Sequence, residues 1–138
     1  MSSEGSVAHA RELLAAFERG DIEALLGLLD PEVEIYSPPP LANAGTFHGR
    51  DGYLEWSREW FDAWENFEIE ATSIEAVGEY HVLTSVRQRG RGKGSGIEIE
   101  MEAHYLGEVR DGLAVRFHLY PTREQALEAA RQREPDPG

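Results

Sequence analysis

The stretch EIEMEAHYLGEVRDGLAVRFHLY, residues 98–120, decides how this chain folds, because one tight turn inside it sets which side chains share a face of a sheet. Ile99, Met101 and Ala103 alternate with Glu98, Glu100, Glu102 and His104, the period-two pattern of a strand with one face buried. Asp111-Gly112 then reverses the chain, since both central positions of a two-residue hairpin turn need positive φ and Asp and Gly tolerate it. Continued without interruption, that turn predicts Tyr105 opposite His118, Gly107 opposite Arg116 and Ala103 opposite Tyr120, all on the face of Ile99 and Met101. Leu106, Phe117, His104 and Leu119 fall on the other face. A one-residue slip exchanges every one of these assignments. The predicted inner wall begins as hydrophobic core and ends in Tyr105, His118, Arg116 and Tyr120, as the wall of a polar-ended pocket does.

Outward from this hairpin the chain reads as helices first and strands second. Ala10, Leu13, Leu14 and Phe17 recur at helical spacing over residues 7–19, and Gly20 is placed to end that helix. Asp21 can cap a second helix over 22–29, which Asp30-Pro31 stops. A short strand follows at 33–37, closed by prolines 38–40. Tyr53, Trp56, Trp60, Phe61 and Trp64 recur at three- and four-residue steps and predict a third helix over 51–64. Residues 67–77 and 80–89 read as strands joined by Gly78-Glu79, and the glycine-rich loop 90–96 leads into the hairpin. Thr122-Arg123-Glu124-Gln125 has the form of a capping box and predicts a last helix from 123 to about 131. The expected organisation is a disordered N-terminus at 1–6, one domain over 7–131 and a frayed tail at 132–138.

Composition bounds the partners. The chain has 138 residues, 41% of them hydrophobic, enough for a single domain with a real core. Its formal charge of −13 leaves no clustered positive field for nucleic acid or an anionic membrane. Arg87, Arg89 and Arg91 are expected to face Glu98, Glu100 and Glu102 across a hairpin as a charge ladder. There is no cysteine, so disulfides and thiolate chemistry are excluded. The five histidines show no ligand spacing, and no metal or cofactor is expected. Residues 1–6 carry no apolar run, which predicts no signal peptide and a cytoplasmic protein.

Helices followed by antiparallel strands predict an α+β fold in which the helices cover one face of a curved sheet. The order of elements resembles a known family. Three N-terminal helices, Thr46-Phe47-His48-Gly49-Arg50-Asp51-Gly52 before the third, the loop 89–96, the turn Val109-Arg110-Asp111-Gly112 and the ending Tyr120-Pro121-Thr122-Arg123-Glu124-Gln125 together are similar to the SnoaL-like branch of the nuclear-transport-factor-2-like superfamily. The resemblance covers roughly residues 7–130. It implies a cone-shaped curved antiparallel sheet covered by N-terminal helices, often dimeric, with a cavity between them. The family includes polyketide cyclases, ketosteroid isomerases and epoxide hydrolases alongside proteins with no known reaction, so fold alone does not assign chemistry.

On the predicted face, His118 is the candidate base, because a neutral imidazole accepts and returns a proton near neutral pH. Tyr105 can donate to a ligand carbonyl, and Arg116 can supply fixed charge to an oxyanion. Tyr36, Trp56, Trp60 and Tyr120 are candidate ligand contacts, Tyr36 only if Glu34 and Tyr36 rather than Val33 and Ile35 face the cavity. The alternative for the same residues is a satisfied core His–Tyr pair and an ordinary aromatic core stripe. The family's reactions rely on pocket carboxylates, commonly including an acid two positions after the last strand's Tyr, and that position here is Thr122. Glu98, Glu100, Glu102 and Glu108 all have the parity of the opposite face. The expected function is therefore binding of a small hydrophobic, oxygen-bearing molecule, with isomerase, cyclase or hydrolase activity through His118, Tyr105 and Arg116. Its rivals are a non-catalytic binding or accessory protein and a structural dimer with a filled cavity. Leu83, Leu106, Val115, Phe117 and Leu119 are expected to form an apolar outer patch that pairs two copies into a homodimer.

Overall fold

The computed structural model describes residues 3–37, 44–78 and 80–133. Its elements are α1 (Ser3–Arg19), α2 (Ile22–Gly27), β1 (Leu29–Ser37), β2 (Gly45–His48), α3 (Gly49–Asp62), β3 (Trp64–Val77), β4 (His81–Gly92), β5 (Glu98–Arg110), β6 (Leu113–Tyr120) and α4 (Arg123–Arg133). Local chemistry places most boundaries where the sequence predicts them. Gly20, at φ 70°, ends α1, and the Asp21 carboxylate accepts from Ala24 N at 3.1 Å to cap α2. The Thr122 hydroxyl accepts from Gln125 N at 3.1 Å and starts α4. Helix α1 begins at Ser3, so residues 3–6 belong to it rather than to a frayed end. Strand β2 was not predicted, and Trp64 opens β3 instead of closing α3. The proline segment 38–40 and the tail beyond 133 lie outside the described residues.

The six strands form one curved sheet in the order β2-β1-β6-β5-β4-β3. Every pairing is antiparallel except β1 with β6, which is parallel and corrects the expectation of an all-antiparallel sheet. Helices α1 and α3 cover one face, where Leu29, Val33, Ile35, Tyr53, Trp56, Ala114 and Leu119 are buried together. Helix α4 packs on β4, β5 and β6 from the other face, with Ala126 and Ala130 fully buried and Arg123 paired to Glu75. Leu83 and Leu106 share that face and are buried as well. The charge ladder forms as the alternation predicts, with Arg87 opposite Glu102, Arg89 opposite Glu100 and Arg91 opposite Glu98. Among the described residues no helix is long and apolar enough to cross a membrane.

The β5–β6 hairpin corrects the sequence reading. Asp111 and Gly112 adopt φ 52° and 78°, so the two-residue turn is as predicted, and Val109 pairs with Ala114. One residue further the register shifts: Glu108 pairs with Arg116, and Val115 is the extra residue of a β-bulge. Beyond it Gly107 lies opposite Phe117, Leu106 opposite His118, Tyr105 opposite Leu119 and His104 opposite Tyr120. The energetics favour this arrangement. The uninterrupted register would turn Arg116 and His118 into the core at several kcal/mol and leave Phe117 and Leu119 exposed at roughly 1.5–3 kcal/mol each. The bulge leaves only one ladder position unpaired.

Two expectations change with it. His118, Arg116 and Tyr120 move to the face away from α1 and α3. Phe117 and Leu119 turn inward, where a Cβ on Gly107 would stand 3.5 Å from the Phe117 ring. With Leu83 and Leu106 under α4, the apolar outer patch expected to mediate a homodimer is not formed.

Candidate functional site

A cavity of about 80 Å³ lies between the sheet and helices α1 and α3. From α1 it takes His9, Leu13 and Phe17; from α3, Tyr53 and Trp56; and from the sheet, Val82, Thr84, Val86, Tyr105, Gly107 and Phe117 among others. The sheet residues follow from strand alternation, since the buried faces of β4 and β5 meet with Thr84 opposite Tyr105 and Val86 opposite Ala103. The aromatics are packed on one another: Tyr53 and Trp56 have ring centroids 5.3 Å apart, and Tyr53 and Phe117 6.3 Å. Among the described residues no carboxylate lines the cavity.

Three polar groups in this wall have defined hydrogen-bond roles. Gln88, 2% exposed, donates its side-chain N–H to the Tyr105 hydroxyl oxygen at 2.5 Å. That bond occupies an acceptor position on the phenol and leaves its own proton available to donate. Burial pushes the Tyr105 phenol up to about 12, against the opposing effect of the Gln88 bond, so it is a neutral donor at physiological pH. Burial pushes Tyr53 up further, with Tyr105 adding to the effect. Trp56 donates its indole N–H to the Ser37 hydroxyl at 2.7 Å, which anchors α3 to β1. His9, 6% exposed, places Nε2 3.0 Å from the Leu28 carbonyl. A carbonyl can only accept, so Nε2 carries the proton, and Nδ1 is the acceptor nitrogen of the neutral ring.

The sequence-predicted site residues are divided between the two faces. Tyr105 and Trp56 line the cavity. Tyr36 does not, because Leu29, Val33, Ile35 and Ser37 are the fully buried residues of β1 and Tyr36 takes the opposite parity. His118, Arg116 and Tyr120 are on that opposite face too, as the bulge at Val115 requires. The side chain of Trp60 lies outside the described residues. The residue the sequence reading passed over is His9. Its signal was present: His9, Leu13 and Phe17 stand four residues apart, on the apolar stripe of α1.

His118 and Arg116 belong to a charged row running across the sheet. His81 pairs with Glu108, Glu108 with Arg116, Arg116 with Glu34 and Glu34 with His48, through cross-strand neighbours on β4, β5, β6, β1 and β2. His118 Nε2 donates to Glu34 at 2.7 Å, and the Tyr36 ring lies 5.5 Å from the His118 ring. Arg116 lies 3.4 Å from Glu34 and 3.3 Å from Glu108, and Arg110 bonds Glu108 at 2.9 Å. The hydrogen bond from His118 holds the Glu34 carboxyl below its usual range, with Arg116 adding to it against partial burial. For Glu108 burial acts upward and is the largest single effect, yet the Arg110 bond and the charges of Arg116 and His81 together bring it below that range. Along this row each carboxylate faces at least one cationic or imidazole side chain.

A cone of curved sheet wrapped around α1 and α3, enclosing an apolar cavity with a few hydrogen-bonding groups, defines the nuclear-transport-factor-2-like class. Within that class, a family model described as the SnoaL-like domain matches residues 10–117, and the chain belongs to the SnoaL-like family. Solved structures agree in fold. A protein of this class from Burkholderia xenovorans LB400 is 23% identical, with 94% of this chain and 98% of that one covered at a TM-score of 0.77. A proposed SnoaL-like polyketide cyclase from Jannaschia sp. CCS1 is 15% identical over 96% and 95%, with a TM-score of 0.72. A proposed ketosteroid isomerase from Kribbella flavida DSM 17836 is 20% identical over 99% and 85%, with a TM-score of 0.69. No curated protein matches the chain at a significant level.

Proposed function

We propose that this protein binds a small, mainly hydrophobic molecule bearing an acceptor oxygen, held in the cavity between sheet and helices with that oxygen on the Tyr105 hydroxyl. The observation that carries the reading is the Gln88–Tyr105 bond, which fixes the phenol as a donor inside an apolar wall. A buried donor of this kind selects a carbonyl or ether over a hydrocarbon of the same shape, because the hydrocarbon would leave it unpaired. Catalysis by a pocket carboxylate has no support among the described lining residues, and His118 and Arg116 are on the far side of the sheet. Binding without turnover is therefore the reading favoured over isomerase, cyclase or hydrolase activity. Titration with acetophenone and with ethylbenzene, followed by tryptophan fluorescence, tests it. Wild type should prefer the ketone by roughly 2–10-fold, the value of one neutral hydrogen bond. Tyr105→Phe should remove the preference and keep ethylbenzene bound. Equal affinity of wild type for both probes would refute the role of Tyr105.

A further inference from the structure

We infer that His9 is a second ligand-recognising residue, so that the ligand carries a hydroxyl donor at the end opposite its acceptor oxygen. This rests on the cavity reading above and narrows the ligand class. His9 is nine-tenths buried in the cavity wall, and its side-chain hydrogen bond from Nε2 to the Leu28 carbonyl also ties α1 to the start of β1. That bond fixes the tautomer. The remaining ring nitrogen, Nδ1, has no partner among the described residues and can only accept in the neutral ring. Nδ1 is not among the fully buried side-chain atoms that lack a partner, so part of its surface stays accessible in a residue that lines the cavity.

The chemical complement follows from where the two groups stand. Tyr105 belongs to the sheet wall and donates, whereas His9 belongs to the helix wall and accepts. Between them the lining is mainly aliphatic and aromatic, with the hydroxyls of Thr84 and Tyr53 as further polar groups, Trp56 and Phe117 available to pack on a ring and the Trp56 N–H already held by Ser37. A molecule that satisfies both walls has a compact apolar body, a carbonyl at one end and a hydroxyl at the other. A small hydroxyaryl ketone is the simplest example. The same polarity discriminates against a diketone, whose second carbonyl would meet the acceptor nitrogen.

The test compares 4-hydroxyacetophenone with acetophenone at pH 8, where an ordinary imidazole is neutral. Wild type should bind the hydroxy ketone tighter by roughly 2–10-fold. His9→Phe should bind the two alike. Because that variant also loses the Leu28 bond, a second measurement uses the unaltered protein: ¹⁵N spectra of the histidine rings, with His9 assigned by its loss in the variant. The free protein should show His9 protonated at Nε2, and its Nδ1 resonance should move with 4-hydroxyacetophenone and stay with acetophenone. If wild type binds both ketones equally and the Nδ1 resonance does not move, the inference is wrong while the Tyr105 reading stands. If neither ketone binds, both fail.

Discussion

Removing a single oxygen, Tyr105→Phe, probes the polar pair in the cavity wall. The side chain keeps its ring and packing, so no cavity of consequence opens. Gln88, 2% exposed, loses the acceptor that takes its N–H at 2.5 Å. A buried donor left unpaired costs about 1–3 kcal/mol, more than the net worth of the bond itself. At about 4 °C per kcal/mol for a domain of this size, the melting temperature should fall by roughly 4–12 °C. Gln88→Leu supplies the control. Replacing both partners by apolar groups removes the unpaired donor along with its acceptor, so the double variant should lie within about 1 kcal/mol of wild type. The coupling energy in a double-mutant cycle should then be at least about 1 kcal/mol. Urea unfolding of the four proteins gives the cycle, and calorimetry gives the temperatures. A Tyr105→Phe variant as stable as wild type, or strictly additive losses, would refute the claim that this bond fixes the phenol as a donor.

The remaining predictions test the faces of the sheet. Phe117→Ala should cost about 3 kcal/mol in urea unfolding, as expected for a large aromatic packed in a core, whereas His118→Ala should cost about 1 kcal/mol because Glu34 keeps Arg116 at 3.4 Å; the reverse ranking would restore the uninterrupted hairpin register. Glu34 and Glu108 both have carboxyls held below the usual range in the folded protein, so their contribution is complete above the ordinary carboxylate pKa of about 4.3 and is lost as pH falls through the lowered values. Stability should therefore decline below about pH 4.3, and the Glu34→Gln/Glu108→Gln variant should show a shallower decline; parallel acid profiles would remove these two groups from the linkage. On the exposed ladder, where Arg87 lies 3.2 Å from Glu100, Arg87→Ala should change stability by less than about 1 kcal/mol, and that small effect should shrink in added salt.

Much of the fold was legible because its signals are local. The stripe of α1, the Asp21 and Thr122 caps, the Asp111-Gly112 turn and the Glu/Arg alternation each arise from a few neighbouring residues, and each stands where the sequence places it. The candidate site was legible only in part, because it depends on register, and register is changed by a bulge that has no residue signature at Val115. A less direct signal did exist. On β5 the apolar face carries Met101, Ala103, Tyr105 and Val109, and on β6 it carries Phe117 and Leu119; the uninterrupted hairpin sets these on opposite faces. Matching the two apolar faces requires one extra residue between them. Given that step, Phe117 and Leu119 would have been placed in the core and His118 outside it. His9 was passed over for a different reason. Its tautomer is fixed by the carbonyl of Leu28, 19 residues away, and only the assembled contact between α1 and the end of α2 makes its second nitrogen available.

The most direct test of the account is a set of intermolecular nuclear Overhauser effects between 4-hydroxyacetophenone and the side chains of the folded protein. The account predicts contacts from the ligand ring and methyl group to Tyr105, Phe117 and Trp56, with none to His118 or Tyr36. Contacts to His118 and Tyr36 in place of Tyr105 and Phe117 would put the ligand on the opposite face of the sheet and contradict it.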